Sequence, residues 1–384
     1  MGLYKFNPIK NAKAGPLFYG PKIYQADKIL REKPVVYYIC IFSVRIKAPE
    51  NIPQANNMSL KTSITFVLLL LISIAGNKGA MATDPVFSQF YAAPVYLNPA
   101  FAGSTGCSRL AMNYRQLRSV ENLHTNNFSL DIYSERLYGG VGIIITNDMN
   151  NMVMMRNSIG AMYSYHLQVT SETDLHFGLQ ASYLRNDIRW NHLEFAVDEP
   201  PPNDSNWKHN VDFATGVMLF SDRLYGGFAA HHVNRPDISV YKNVEDDVTS
   251  RLEIKYTGHM GMYFEPWQNG VSGGYEYFIS PNLIYQSQGD FSHFSAGIYT
   301  GAKPVMAGIW FRHHRSSNED IENINFLAFL AGINMGSYRI GYSYDYSFSG
   351  FSDIMHATHE LSLAFRFNCP QRNIGGRILN YPSF

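Results

Sequence analysis

Tyr338-Arg339-Ile340-Gly341-Tyr342-Ser343-Tyr344-Asp345-Tyr346-Ser347 sets a ring or an aliphatic side chain at every second residue and a small or polar one between. Successive side chains of a β-strand point to opposite faces, so this stretch has one apolar face and one polar face. The same period recurs. Leu361, Leu363, Phe365 and Phe367 alternate with Glu360, Ser362, Ala364 and Arg366; Leu252, Ile254, Tyr256, Met260 and Met262 alternate with Arg251, Glu253, Lys255, Thr257 and His259. Leu175, Phe177, Leu179, Ala181 and Tyr183 alternate with Asp174, His176, Gly178, Gln180 and Ser182. Working outward, the period predicts about fourteen strands: 108-116, 125-134, 138-146, 156-167, 174-185, 210-220, 224-233, 252-264, 271-286, 291-300, 305-313, 322-333, 337-347 and 359-367. An even count of antiparallel strands is the pattern of a single-chain transmembrane outer-membrane β-barrel, and all-β is the expected class. Connections after even-numbered strands are expected to be short and those after odd-numbered strands to include the long 186-209 and 234-251. That asymmetry matches short periplasmic turns and long external loops.

Composition agrees. The 384 residues carry 31 basic and 31 acidic side chains, and only 16% are charged, against about 25% in soluble domains. Aromatic residues make up 14%. A disordered chain would have few rings and a nucleic-acid binder a basic excess, so neither class fits. Several apolar runs of about 20 residues, as a polytopic helical membrane protein needs, are missing.

One apolar run, Ile64 to Ala75, follows Met58 and Lys61 and precedes Ala80-Met81-Ala82, a small-x-small cleavage pattern. Residues 58-82 therefore read as a signal peptide, with the exported chain starting near Thr83. Residues 1-57 lie upstream of that leader and read as a mis-assigned extension, the alternative being a cytoplasmic extension with a signal anchor. The expected organisation is then a periplasmic head segment at 83-107, the barrel at 108-367 and a periplasmic tail at 368-384.

If the apolar faces meet lipid, the polar partners face the lumen. They are Arg109, Arg115, Arg251, Lys255, Arg312, Arg339 and Arg366 against Asp131, Asp174, Glu253, Glu276, Asp345 and Glu360. Near-cancellation favours charges paired with one another, or with something that fills the barrel, over an ion-selective pore. Solvated lumen side chains of a passive porin are the alternative. After cleavage two cysteines remain, Cys107 just before the first strand and Cys369 just after the last. Barrel closure would make those strands neighbours, so a disulfide across the seam is expected in an oxidising compartment.

Enzyme readings find no support in the pattern. His231-His232 and His313-His314 are adjacent pairs expected on opposite strand faces, the wrong spacing for shared metal ligation, and no nucleophile motif accompanies the Ser, His and Asn content. The repeat Ser134-Glu135-Arg136-Leu137-Tyr138-Gly139-Gly140 and Ser221-Asp222-Arg223-Leu224-Tyr225-Gly226-Gly227 lacks the Lys-Ser/Thr of a phosphate loop, so its glycines read as strand-bending residues. No cofactor and no nucleic acid are expected.

The opening of the exported chain is more specific. Asp84-Pro85-Val86-Phe87-Ser88-Gln89-Phe90, then Tyr96-Leu97-Asn98-Pro99-Ala100-Phe101-Ala102-Gly103, Gly106-Cys107-Ser108-Arg109 and Tyr114-Arg115-Gln116 resemble the signature of the PorP/SprF family of type IX secretion outer-membrane proteins of Bacteroidetes. Tyr342 to Tyr346 and Thr358 to Leu363 look like that family's last two strands, and Phe367-Asn368-Cys369-Pro370 through Phe384 like its closing segment. Where relatives carry a second cysteine near the end this chain has Tyr381, which makes Cys107 the natural partner of Cys369. The resemblance implies a non-catalytic protein of the cell outer membrane, embedded in its lipid. Its implied role is secretion and surface attachment of a large adhesin or similar cargo bearing a type IX C-terminal sorting domain, as in gliding motility. Periplasmic and lipoprotein components of the machinery are the further implied partners. The alternative is a passive porin or a FadL-like transporter.

Overall fold

The computed structural model describes residues 83–119, 122–150, 154–189, 207–239, 250–265, 277–302, 304–317, 323–348 and 355–369. Fourteen strands form within them: β1 (Ser108–Ser119), β2 (Asn122–Ser134), β3 (Gly139–Asn150), β4 (Met154–Gln168), β5 (Thr173–Ile188), β6 (Trp207–Ser221) and β7 (Leu224–His231). They continue with β8 (Lys255–Met262), β9 (Tyr277–Gln288), β10 (Phe291–Ala302), β11 (Val305–Ser316), β12 (Ile324–Met335), β13 (Tyr338–Ser347) and β14 (Met355–Phe367). Each pairs with its sequence neighbours, and β1 with β14, in one closed barrel. The closing ladder is antiparallel and runs from Ser108 opposite Phe367 to Arg118 opposite Ala357. Closure matters physically, because an open sheet edge would leave unpaired backbone groups in hydrocarbon. Among the described residues no helix is long and apolar enough to cross a membrane.

Alternation decides which side each residue takes. Tyr342, Tyr346, Leu361, Leu363, Phe177 and Leu179 are exposed on the outer surface, while Ser343, Asp345, Glu360, Ser362 and His176 between them are buried inside. An outer belt of Ile, Leu, Tyr and Phe with a polar interior is what a lipid-facing barrel needs. The connections after β2, β4, β6, β10 and β12 are short, as expected. The connection between β8 and β9 lies largely outside the described residues, as do residues 271–276 of the expected ninth strand.

The interior is not simply polar. Residues 83–106 fold inside the barrel around a short helix, α1 (Pro94–Leu97), followed by a single 3-10 turn at Pro99–Phe101. Proline opens both, where its missing N–H costs no hydrogen bond. Asn98 caps the second by accepting from the Ala100 N–H at 2.9 Å. Phe90, Tyr91, Val95, Leu97 and Phe101 of this segment share an apolar core with Tyr299, Trp310, Met218, Phe220 and Ile284 of the strands. The expectation of a periplasmic head at 83–107 is corrected accordingly: residues 83–106 lie within the lumen, packed against the inner faces of the strands, and Cys107 stands at the rim.

Candidate functional site: the filled lumen

The segment is held in three places along its length. At its leading end the Asp84 carboxylate accepts from Arg156 Nη1 at 3.0 Å, His232 Nε2 at 2.7 Å and Lys255 Nζ at 3.1 Å, and the Asp84 N–H donates to Gln288 Oε1 at 2.8 Å. The other ring nitrogen of His232 lies 3.0 Å from Asp212 Oδ2. A carboxylate on each nitrogen requires both to carry protons, so the ring is an imidazolium. Burial alone would lower the His232 pKa, but Asp84 and Asp212 outweigh it and hold the ring up at about 9. Burial likewise opposes ionised Asp84, and His232, Lys255 and Arg156 more than offset this, keeping the carboxyl well below its usual range.

Further along, the Ser88 and Gln89 N–H groups donate to the two oxygens of Glu360 at 2.7 and 2.9 Å. Ser88 Oγ donates to Asp345 Oδ2 at 2.6 Å and accepts from Arg312 Nη1 at 2.6 Å and Arg115 Nη1 at 3.1 Å. Gln89 Nε2 reaches the Glu360 carbonyl at 2.9 Å, and Ser362 Oγ donates to Gln89 Oε1 at 2.6 Å. Arg115, Arg312, Asp345 and Glu360, expected from the sequence as lumen charges, therefore meet around two residues of the chain's own leading segment.

The third mooring is built from backbone. The Ala100 carbonyl accepts from Ser164 Oγ at 3.0 Å, the Ala102 carbonyl from His166 Nε2 at 3.0 Å, and the Leu97 carbonyl from His231 Nε2 at 3.3 Å. Asn98 Nδ2 donates to the Val217 carbonyl at 3.1 Å. The Gly103 N–H donates to Asp131 Oδ2 at 2.8 Å, and Arg109 binds the same carboxylate with Nε at 2.8 Å and Nη2 at 3.0 Å. Contacts this close need glycine on the wall: a Cβ at Gly178 would stand 2.2 Å from the Ala100 nitrogen, and one at Gly140 2.1 Å from the Ala102 oxygen. Gly140, read from the repeat as a strand-bending residue, instead makes room for the segment.

The other signature residues are also packed inside. Pro85 gives its carbonyl to Tyr96 Oη at 2.8 Å, Phe87 packs edge-on against Tyr96 with centroids 5.0 Å apart, and Pro99 starts the turn beneath Asn98. Cys107 and Cys369 are disulfide-bonded with Cα atoms 4.3 Å apart, beside the β1–β14 seam.

The remaining expected lumen charges divide between the interior and the connections. Asp174 and Arg339 are buried inside. Arg366 is half-buried and donates to the Gly336 carbonyl at 3.2 Å. Arg251 and Glu253 are corrected: both precede β8, so they belong to the β7–β8 connection, where Arg251 is exposed and Glu253 pairs with Arg235. Glu276 lies outside the described residues. The two-faced reading of His231-His232 also fails, because His232 takes a left-handed backbone (φ 59°) just beyond β7 and turns its ring inward beside His231. Arg156, His232 and Asp212 were missed for that reason and because single charges near strand ends carry no pattern. The inward rings had a signal: Ile309-Trp310-Phe311 and Val217-Met218-Leu219-Phe220 are apolar on both faces, which a strand between lipid and water would not be.

A closed, apolar-belted fourteen-stranded barrel whose lumen is filled by its own leading segment defines a membrane β-barrel protein with an ordered internal plug. Residues 80–365 match the family model described as type IX secretion system membrane protein PorP/SprF. The chain belongs to the PorP/SprF family and is a barrel of the outer membrane. No curated protein sequence matches it. Among solved structures it is similar to the CymD monoaromatic hydrocarbon channel, at 11% identity and TM-score 0.44 over 75% of this chain and 95% of that one. It is also similar to a Pseudomonas aeruginosa FadL homologue, at 9% and 0.44 over 76% and 100%. The Pseudomonas putida toluene transporter TodX matches at 8% and 0.40 over 75% and 99%. These likenesses carry no functional argument.

Proposed function

We propose that this barrel is the outer-membrane partner of a secreted cargo of the type IX system, a large adhesin or similar protein that it holds at the cell surface through the cargo's C-terminal domain. Membership of the PorP/SprF family supports the secretion role. The observation that carries the rest is the filled lumen: Ser88, Gln89 and Asn98 occupy the polar partners that a translocating chain or a column of water would need. A barrel occupied in this way suits docking better than conduction, which favours the external connections as the cargo's seat and disfavours a passive porin. Machinery components on the periplasmic side would meet the Cys107–Cys369 rim and the tail. No catalysis is part of this reading. Its test is a pull-down of the tagged full-length protein from native membranes. Recovery of a secreted protein with a C-terminal sorting domain, together with secretion-system components, is the expected result. Recovery of neither overturns the proposal, and a solute-uptake defect in the deletion strain with normal secretion would favour a FadL-like transporter.

A further inference from the structure

The segment runs the length of the barrel in a definite direction. It leaves β1 at the disulfide rim, where both ends of the barrel chain lie, and Gly103 is moored to Asp131 near that end of β2. Asp84 meets groups at the other ends of the strands: Arg156 is the third residue of β4, Lys255 the first of β8, Gln288 the last of β9, and His232 follows the last of β7. In an even-stranded outer-membrane barrel the rim that carries both chain ends is periplasmic. Asp84 is therefore at the external mouth. Thr83 to Val86 are half-buried there, beside a cavity of about 250 Å³ that Arg115, Leu117, Asp148 and His314 help to line, while Phe87 to Val95 are buried.

We propose that residues 83–106 are a plug threaded through the barrel with the leading end at the external mouth, and that Asp84 latches it shut there on Arg156, His232 and Lys255. Two points carry this beyond simple filling. One carboxylate joins cations from three separate elements of the wall, β4, the residue after β7, and β8, so a single release frees the leading end on all of them. Without Asp84, Arg156 and Lys255 lose the carboxylate they share and His232 keeps only Asp212, so the three cations are held together less well at the mouth.

Two measurements on the full-length protein test this. In intact cells, Thr83→Cys is expected to react with a membrane-impermeant maleimide added outside; labelling only after the outer membrane is opened would place the leading end in the periplasm and overturn the threading. In planar bilayers, the wild type and Asp84→Glu should stay closed. Asp84→Asn, checked as folded by its heat-modifiable gel shift, should open about tenfold more often, the loss expected when a charge-assisted bond is removed. Steady conductance by the wild type overturns the plug, and an Asp84→Asn variant as silent as the wild type overturns the latch.

Discussion

Two moorings of one segment solve the same problem by different chemistry. Ser88 and Gln89 are gripped by side chains of β1, β11, β13 and β14, with carboxylates and guanidiniums converging on two N–H groups and a hydroxyl. Leu97 to Gly103 are gripped on the opposite arc by β2 to β7, where histidines, serine and asparagine contact carbonyl oxygens and glycines let the two backbones approach. The first grip depends on charge and tolerates small shifts of long side chains. The second depends on shape and tolerates almost none. The pair therefore fixes both the identity and the depth of the plug.

The largest way to break the comparison is at the carboxylate beneath the second mooring. Asp131→Ala would leave Arg109 buried without its ion-pair partner and free the Gly103 N–H, so a loss of about 3–5 kcal/mol is expected in urea unfolding of the bilayer-refolded barrel. A change under about 1 kcal/mol would show that the pair contributes little to holding the segment. Next, Gly178→Leu forces a side chain into the Ala100 backbone and is expected to cost about 1–3 kcal/mol and to expose residues 83–106 to added protease. Continued protection at unchanged stability would remove the close-approach account of the second mooring. Ser88→Ala, at the charge-based mooring, deletes one hydroxyl among several contacts and should cost about 1 kcal/mol, read as a small fall in the urea midpoint.

The remaining test is in pH. His232 sits above its ordinary value, at about 9, among Asp84, Asp212, Lys255 and the neighbouring His231. A folded-state pKa above the unfolded one gives stability that is complete below about 6.5 and is lost as pH rises through about 9. The urea midpoint of the wild type should therefore fall between pH 6.5 and 9 more than that of His232→Gln. Equal slopes would remove His232 from the leading-end mooring. Asp84, held low, acts in the other direction: its contribution is complete above its ordinary range and is lost only on strong acidification.

The sequence by itself determined the barrel. Alternation in Tyr338 to Ser347 and its counterparts is a property of single strands, because side chains two residues apart share a face whatever the strand pairs with. Fourteen strands, their faces and the closing neighbours β1 and β14 follow from that period and from the position of the two cysteines. The family signature marked Asp84, Ser88, Gln89, Asn98 and Gly103 as special without saying what they touch. Only the tertiary structure decided that these residues lie inside the barrel, because their partners stand far away in the chain: Ser88 and Glu360 are 272 residues apart. The same distance hid the purpose of Trp310, Met218 and Gly178, which make sense only against a segment that the local pattern of their own strands cannot announce. Near-cancellation of lumen charge was legible as a sum. Its physical meaning, carboxylates and guanidiniums shared with a plug that brings its own Asp84, required the fold that brings residues 83–106 and the inner faces of the strands into one lumen.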